Sequence, residues 1–384
     1  METTHYPRII QLFFNEIVVK IKEALDPEII LVAGSFGKGS WLYFDDILLS
    51  DFEIVFICER RWSFKKKKSL LKSLNNEYPY EISLKGYLIN KAKNKVISNY
   101  SSKNPGYISL DFFDVFNKPK YLYIKDGATL DINCDVEEIP VWEAWRLYVN
   151  RMGDLFKLHT SQNIDKKTIS YYWLKIFESI ADAYCIINRI YDKNISNRLT
   201  LFTDDLINND NELNTICKES FGIIKQALIA RNNHELSHFE INISDERLKL
   251  IINSWMNYFE KKLSEKEGMS LSNNFKIEYL KSKTLQKKYL GFNYKFNFLV
   301  SNSIRLIYHP KLLNCNFKFY NQNCSWRHLI LLIISSAFYE CGTGKGNYNV
   351  TKKISHKLFR NNYITKLNNK KFEELILDYW KKLC

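Results

Sequence analysis

The sequence predicts an α+β protein in two parts, a sheet flanked by helices over residues 1–139 and a mainly α-helical region over residues 140–384. Three observations lead there. Residues 29–33 and 52–57 are short apolar runs bounded by turns, the pattern of buried strands. From Pro140 the apolar period lengthens from two to about 3.6, with Val141, Ala144, Trp145, Tyr148, Met152 and Leu155 on one helical stripe. A chain of 384 residues, 46% of them hydrophobic, is also longer than one core usually serves.

The elements follow in order. Residues 9–25 carry apolar side chains at helical spacing, and Asp26-Pro27 stops that helix. The strand at 29–33 ends at Gly34-Ser35, where small residues allow close backbone approach. A loop leads to a second strand at 51–57. Residues 60–76 read as a surface helix whose first part is basic, with Lys65, Lys66, Lys67 and Lys68 in a row. A solvated face explains such a run, and so does contact with a triphosphate or nucleic acid. Residues 80–89 alternate as a third strand, with Glu81, Ser83 and Lys85 on its polar side. Residues 90–106 are a polar excursion. Residues 107–115 fit either a strand or a helix capped by Ser109. Residues 121–124 and 128–132, joined by Lys125-Asp126-Gly127, suggest a hairpin. In the second part, helices are expected at 141–156, 169–191, 213–230, 246–263, 326–340 and 371–383, with polar loops at 192–212 and 264–275. Residues 276–322 fit strand or irregular structure.

Lysine and arginine outnumber aspartate and glutamate by 56 to 42, a net charge of +14 that favours a polyanionic partner or substrate. A genome biased toward lysine, asparagine and isoleucine would give the same excess. Eight cysteines without a CxxC, and a start without a secretory signal, fit a reducing cytoplasm. The apolar run at 329–338 is about half the roughly 20 residues that span a bilayer, so no membrane segment is expected.

Chemistry concentrates at residues 29–57. Gly34 and Ser35 form a turn suited to a phosphate, with Lys38 nearby to neutralise its charge. On the following strand a period of two puts Asp51 and Glu53 on one face. Paired carboxylates suit Mg²⁺, which completes its shell with waters and substrate phosphates.

Gly34-Ser35, a loop, then Ser50-Asp51-Phe52-Glu53 between apolar flanks resembles the signature of the DNA polymerase β-type nucleotidyltransferase superfamily. The second acid, Glu53, is similar to that of the kanamycin-type aminoglycoside nucleotidyltransferases, which also join a nucleotidyltransferase head to a helical bundle. The loop at 36–50 is longer than in the shorter members, and its excess, residues 41–46, is free to touch base or acceptor. The resemblance implies a mixed sheet in the first part and transfer of a nucleoside monophosphate from an NTP to an acceptor hydroxyl. Its cofactor would be Mg²⁺, with Mn²⁺ as the substitute. Gly34, Ser35 and Lys38 would bind nucleotide, and Asp51 and Glu53 would bind metal. A third carboxylate would complete the metal site or take the acceptor proton; Glu81 is preferred and Asp111 competes. A small molecule or sugar is the favoured acceptor, with RNA or protein as alternatives. The rival function is a catalytically inactive head that binds nucleic acid or regulates a partner.

Other patterns are weaker. Residues 231–238, RNNHELSH, have the Arg-x6-His form of HEPN ribonucleases, but short patterns of this kind arise by chance. His234 and His238 lack a zinc-like ligand set and read as polar surface. Residues 341–346, CGTGKG, lack P-loop spacing. Residues 351–384 mix basic and aromatic side chains, and the spacing of Phe372, Leu375, Ile376 and Tyr379 reads as a helix with one buried face.

Overall fold

The computed structural model describes residues 6–90, 95–97, 108–160, 164–208, 213–237, 239, 241, 243–269, 352 and 369–383. The chain separates into two compact units: Met1–Pro140 with Arg189–Leu201 and Leu228–His238, and Val141–Asn188 with Phe202–Ala227 and Phe239–Cys384. The first crossing falls at residue 140, yet two later segments belong to the first unit, so the units are discontinuous in sequence.

The first unit opens with α1 (Arg8–Leu25), whose Ile10, Phe13, Phe14, Ile17 and Ile21 form one buried stripe. It leads to β1 (Ile29–Val32), buried at every position. The glycine turn is a short helix, α2 (Gly34–Lys38). The long loop after it folds into a ribbon of β2 (Tyr43–Phe44) and β3 (Ile47–Leu48). Asp45 and Asp46, both at positive φ (47° and 64°), make its two-residue turn, the conformation that matches strand twist in tight hairpins. Then come β4 (Phe52–Cys58), α3 (Phe64–Glu77), β5 (Ile82–Asn90), β6 (Lys95–Ile97), α4 (Leu110–Phe116) and β7 (Lys120–Ile124).

The sheet runs β6-β5-β4-β1-β7. It is mixed: β4 and β5 are parallel, joined through α3, while β1 is antiparallel to both β4 and β7 and β5 is antiparallel to β6. Phe52, Ile54, Phe56 and Cys58 of β4 enter the same core as the α1 stripe and Leu74 of α3. Alternation turns Asp51 and Glu53 to the opposite face. There Tyr87 of β5 meets Phe112 and Phe116 of α4, ring centroids 6.2 and 5.2 Å apart.

Of the two forms that fit residues 107–115 the Ser109-capped helix is the one present, and one expectation changes in this unit. Residues 110–116 form a helix, with Ser109 accepting a hydrogen bond from Phe112 N (3.2 Å), because the cap and the buried Leu110, Phe112, Phe113 and Phe116 outweigh the alternation. Residues 121–124 pair with β1 instead of with 128–132, where a buried central strand offers a better partner than an isolated hairpin.

The second unit is mostly helical. It contains α5 (Trp142–Thr160) and α6 (Lys166–Ile187), and residues of α7 (Ile195–Asn208), α8 (Thr215–Glu219), α9 (Phe221–Asn232), α10 (Asp245–Glu267) and α11 (Asn369–Leu383). Trp145, Tyr148, Trp255 and Phe259 are fully or almost fully buried in it. The expected polar loop at 192–212 is instead largely α7. The expected single helix at 213–230 is two, divided at Ser220, whose Oγ donates to Cys217 O (2.6 Å) and accepts from Trp255 Nε1 (2.8 Å). The expectations for 276–322, 326–340 and 341–346, and for His238, lie outside the described residues. Cys58, Cys134, Cys185 and Cys217 are buried free thiols. Among the described residues no helix is long and apolar enough to cross a membrane.

Candidate functional site

The site is built where β1 ends between its two neighbours. Ala33 N–H donates to Glu53 O (2.8 Å), which carries the β1–β4 ladder one residue beyond the strand. The chain then turns at Gly34 with φ +58°, a conformation costly for any residue with a Cβ. A Cβ at Gly34 would lie 2.4 Å from Glu53 Oε1 and 2.6 Å from its Cδ. Glycine is therefore required twice, by the backbone and by the carboxylate lying against it. At Gly37 a Cβ would sit 2.8 Å from Val32 O, so α2 packs directly on the end of β1.

Ser35 carries a buried Oγ with no hydrogen-bond partner. Leaving a buried hydroxyl unpaired costs about 1–3 kcal/mol. The Ser35 carbonyl, by contrast, accepts from Ser40 N (2.7 Å).

Glu53 has its pKa raised from 4.5 to about 6, first by burial and then by the like charges of Asp51 and Asp111, against the pull of Lys38 and Lys85. Carboxylates on β4 and at the first turn of α4 thus converge on one place. Lys38 also lies 3.9 Å from Asp114 Oδ2. Asp114 sits one helical turn after Asp111; burial raises its pKa, Lys38, Arg198 and the Tyr191 hydroxyl lower it, and Asp111 adds to the rise. Tyr191 OH donates to Asp114 Oδ1 (2.9 Å) and accepts from Arg198 Nη1 (3.0 Å). Lys193 Nζ donates to the carbonyls of Lys118 (2.6 Å) and Asp114 (3.4 Å), and burial brings its pKa down to about 8.

On the other flank, Lys120 of β7 pairs with Val32, and its Nζ would be 3.5 Å from a Cβ at Gly39. The segment 228–238 closes the far end of the turn. Arg231 Nη1 donates to Ser40 O (3.1 Å), Tyr43 N donates to His234 O (2.8 Å), and Leu236 N donates to Tyr43 O (2.9 Å). His234 stacks on Trp41 with centroids 3.8 Å apart and 5° between planes, and its Nδ1 is 3.0 Å from Trp41 O. Its ring is therefore packed, not polar surface as expected. Trp41, expected to face base or acceptor, is buried between that ring and Phe36, which stacks on it at 5.5 Å.

Gly34, Ser35, Lys38, Asp51 and Glu53 thus gather around one turn. Glu81 stands apart from the strongest influences on Glu53. It precedes β5, its carbonyl accepts from Phe52 N (2.8 Å), and its side chain is exposed beside Asp51 in the β4–β5 register. Asp114, Lys120, Lys193 and Arg198 have no part in the sequence reading, and Arg231 entered it only within the Arg-x6-His pattern, not as a partner of the glycine turn. Only Asp114 had a local signal, its i+3 spacing from Asp111.

Among the described residues no group of three or more His, Cys, Asp or Glu is arranged to hold a metal ion. Asp51 and Glu53 nonetheless fit Mg²⁺, which needs only one or two carboxylates beside water and phosphate oxygens. Glu53, crowded by acids of its own sign, has a direct electrostatic use for a cation. No family model, curated protein or solved structure matches the chain.

Proposed function

We propose that the protein is a metal-dependent nucleotidyltransferase, which moves a nucleoside monophosphate from an NTP to an acceptor hydroxyl. The observation that carries this reading is the Glu53 carboxylate, set against the Gly34 backbone and raised first by burial and then by Asp51 and Asp111. Acids held directly beneath a phosphate-sized turn suit a reaction in which metal and triphosphate share ligands.

In this reading Asp51 and Glu53 hold Mg²⁺ or Mn²⁺. When bound, the ion would neutralise phosphate charge and stabilise the oxygens that gain charge during transfer. The turn at Gly34 lets backbone approach the phosphates, and the unpartnered Ser35 hydroxyl donates to one of their oxygens. Lys38, steadied by Asp114, adds positive charge beside them. The acceptor oxygen bonds to the α-phosphorus as the bond from that phosphorus to the bridging oxygen breaks, and pyrophosphate leaves. Asp111 takes the third-acid role in place of Glu81, because its charge reaches Glu53, and it receives the acceptor proton.

Incubating the purified protein with each labelled NTP, Mg²⁺, and either a metabolite extract or RNA tests the reading and identifies the acceptor pool. Asp51→Asn and Asp111→Asn are expected to lower transfer by about 10²–10⁴-fold, and Glu81→Gln by less than about tenfold. Undiminished transfer in Asp51→Asn would refute the proposal. Loss in Glu81→Gln alone would return the third role to that residue.

A further inference from the structure

The turn between β4 and α3, together with the first turns of α3, carries the densest positive charge among the described residues. Arg60, Arg61, Lys65, Lys66, Lys68 and Lys72 are all exposed, and residues 60–76 contain no acid. On the same unit Lys20 is paired with Glu77, and Lys125 with Asp26 and Glu28. These six make no ion pair among the described residues.

Their placement is electrostatically unfavourable within the chain itself. The first turn of α3 holds no acid, and Lys65 and Lys66 stand at the positive end of the helix dipole, where anions are favoured. With no ion pair among the described residues joining these six cations to an acid, a bound polyanion would relieve their repulsion. The helix is also a fixed platform. Ser63 caps it, accepting from Lys66 N (3.3 Å); Leu74 is fully buried, with Leu70 and Leu71 packed beside it. Trp62 packs edge-on against Phe56, centroids 4.9 Å apart. Lys65, Lys68 and Lys72, spaced i, i+3 and i+7, line the outward face.

We propose that this surface binds the phosphate backbone of single-stranded nucleic acid. A membrane fits less well. The leucines of α3 face the core and leave Phe64, 56% exposed, as its one outward large apolar side chain, too little for an inserted face. A row of cations along one helix face instead matches sites that track the backbone of a single strand. The patch stands apart from the acids: β4 carries Asp51 and Glu53 at its start and Arg60 beyond its end, about 20 Å of strand away. The inference is independent of the proposed transferase activity.

The test is fluorescence anisotropy of the full chain with a labelled single-stranded RNA and its DNA counterpart over a salt series. Neutralising about six phosphates predicts a slope of log K against log salt near −4. The variant Lys65→Glu/Lys66→Glu/Lys68→Glu/Lys72→Glu places two acids in the first turn of α3 and two on its exposed face, so its fold should be retained, which a thermal melt checks. It is expected to bind at least thirtyfold more weakly, with the slope reduced by about 3. A control reversing Lys225, Lys261, Lys266 and Lys370 is expected to stay within about threefold of the parent. Equal losses in both variants would reduce the effect to net charge and overturn the proposal. So would absence of binding at 50 mM salt, or binding to vesicles containing phosphatidylserine but to neither nucleic acid.

Discussion

Two glutamates, Glu143 buried and Glu53 half-buried, sit in opposite electrostatic company. Glu143 of α5, its side chain 1% exposed, is met by Arg146 one turn later, with Nε and Nη2 donating at 3.1 and 2.6 Å. Glu53 of β4 has its pKa raised to about 6, first by burial and then by Asp51 and Asp111, and Lys38 and Lys85 offset this only in part. The first arrangement is complete within the helical unit. The second leaves a charge that Lys38 and Lys85 offset only in part, in a turn where the buried Ser35 hydroxyl has no partner. Glu143 is matched from inside the fold, whereas under the proposed function the charge on Glu53 is matched by a bound cation.

The comparison can be broken at either end. The largest effect is expected at the closed site. Arg146→Ala strands Glu143 and should lower stability by about 3–5 kcal/mol, read as a shift in the denaturant midpoint. A loss below about 1 kcal/mol would mean Glu143 does not depend on its partner. Gly34→Ala comes next. The left-handed backbone alone costs about 1–2 kcal/mol, and the new methyl must displace the Glu53 carboxylate. The double change Gly34→Ala/Glu53→Ala should recover part of that loss, because the clash disappears; simple additivity would show that the two residues do not meet.

The smallest effect has the opposite sign. Glu53 titrates higher in the folded protein than its ordinary 4.5, so its stabilising contribution is full below about pH 4.5 and lost as pH rises through about 6. In metal-free buffer, Glu53→Gln should therefore be about 1–2 kcal/mol more stable than the parent at pH 7.5. The difference should vanish near pH 4.5. Added Mg²⁺ should narrow it at pH 7.5, since only the carboxylate gains the ion. A variant less stable than the parent at pH 7.5 would mean the ionised carboxylate is already satisfied.

The Glu53 side of this contrast is legible in the sequence, and the reason is locality; the Glu143–Arg146 pair has no part in that reading. The strand at 29–33, the glycine turn and the Asp51/Glu53 pair are adjacent in sequence, and their period and spacing carry the information. Asp111 was visible as a candidate but ranked behind Glu81, because alternation on a strand promised Glu81 a shared face. The contacts of α4 come from packing that alternation does not encode. His234 on Trp41 and Arg231 on Ser40 join positions 193 and 191 residues apart, which no local pattern foretells. In α7 the signal existed but was disguised. Ile195, Arg198, Phe202 and Leu206 keep helical spacing and are buried, yet an arginine in the stripe and the flanking asparagines and aspartates read as loop.

The most direct test of the central claim is Mn²⁺ binding at pH 7.5, followed by electron paramagnetic resonance with and without a non-hydrolysable NTP analogue. The account predicts a site in the parent that tightens with nucleotide, and its loss in Asp51→Asn while the thermal melt remains cooperative. Undiminished Mn²⁺ binding in that variant, or none in the parent even with nucleotide present, would contradict it.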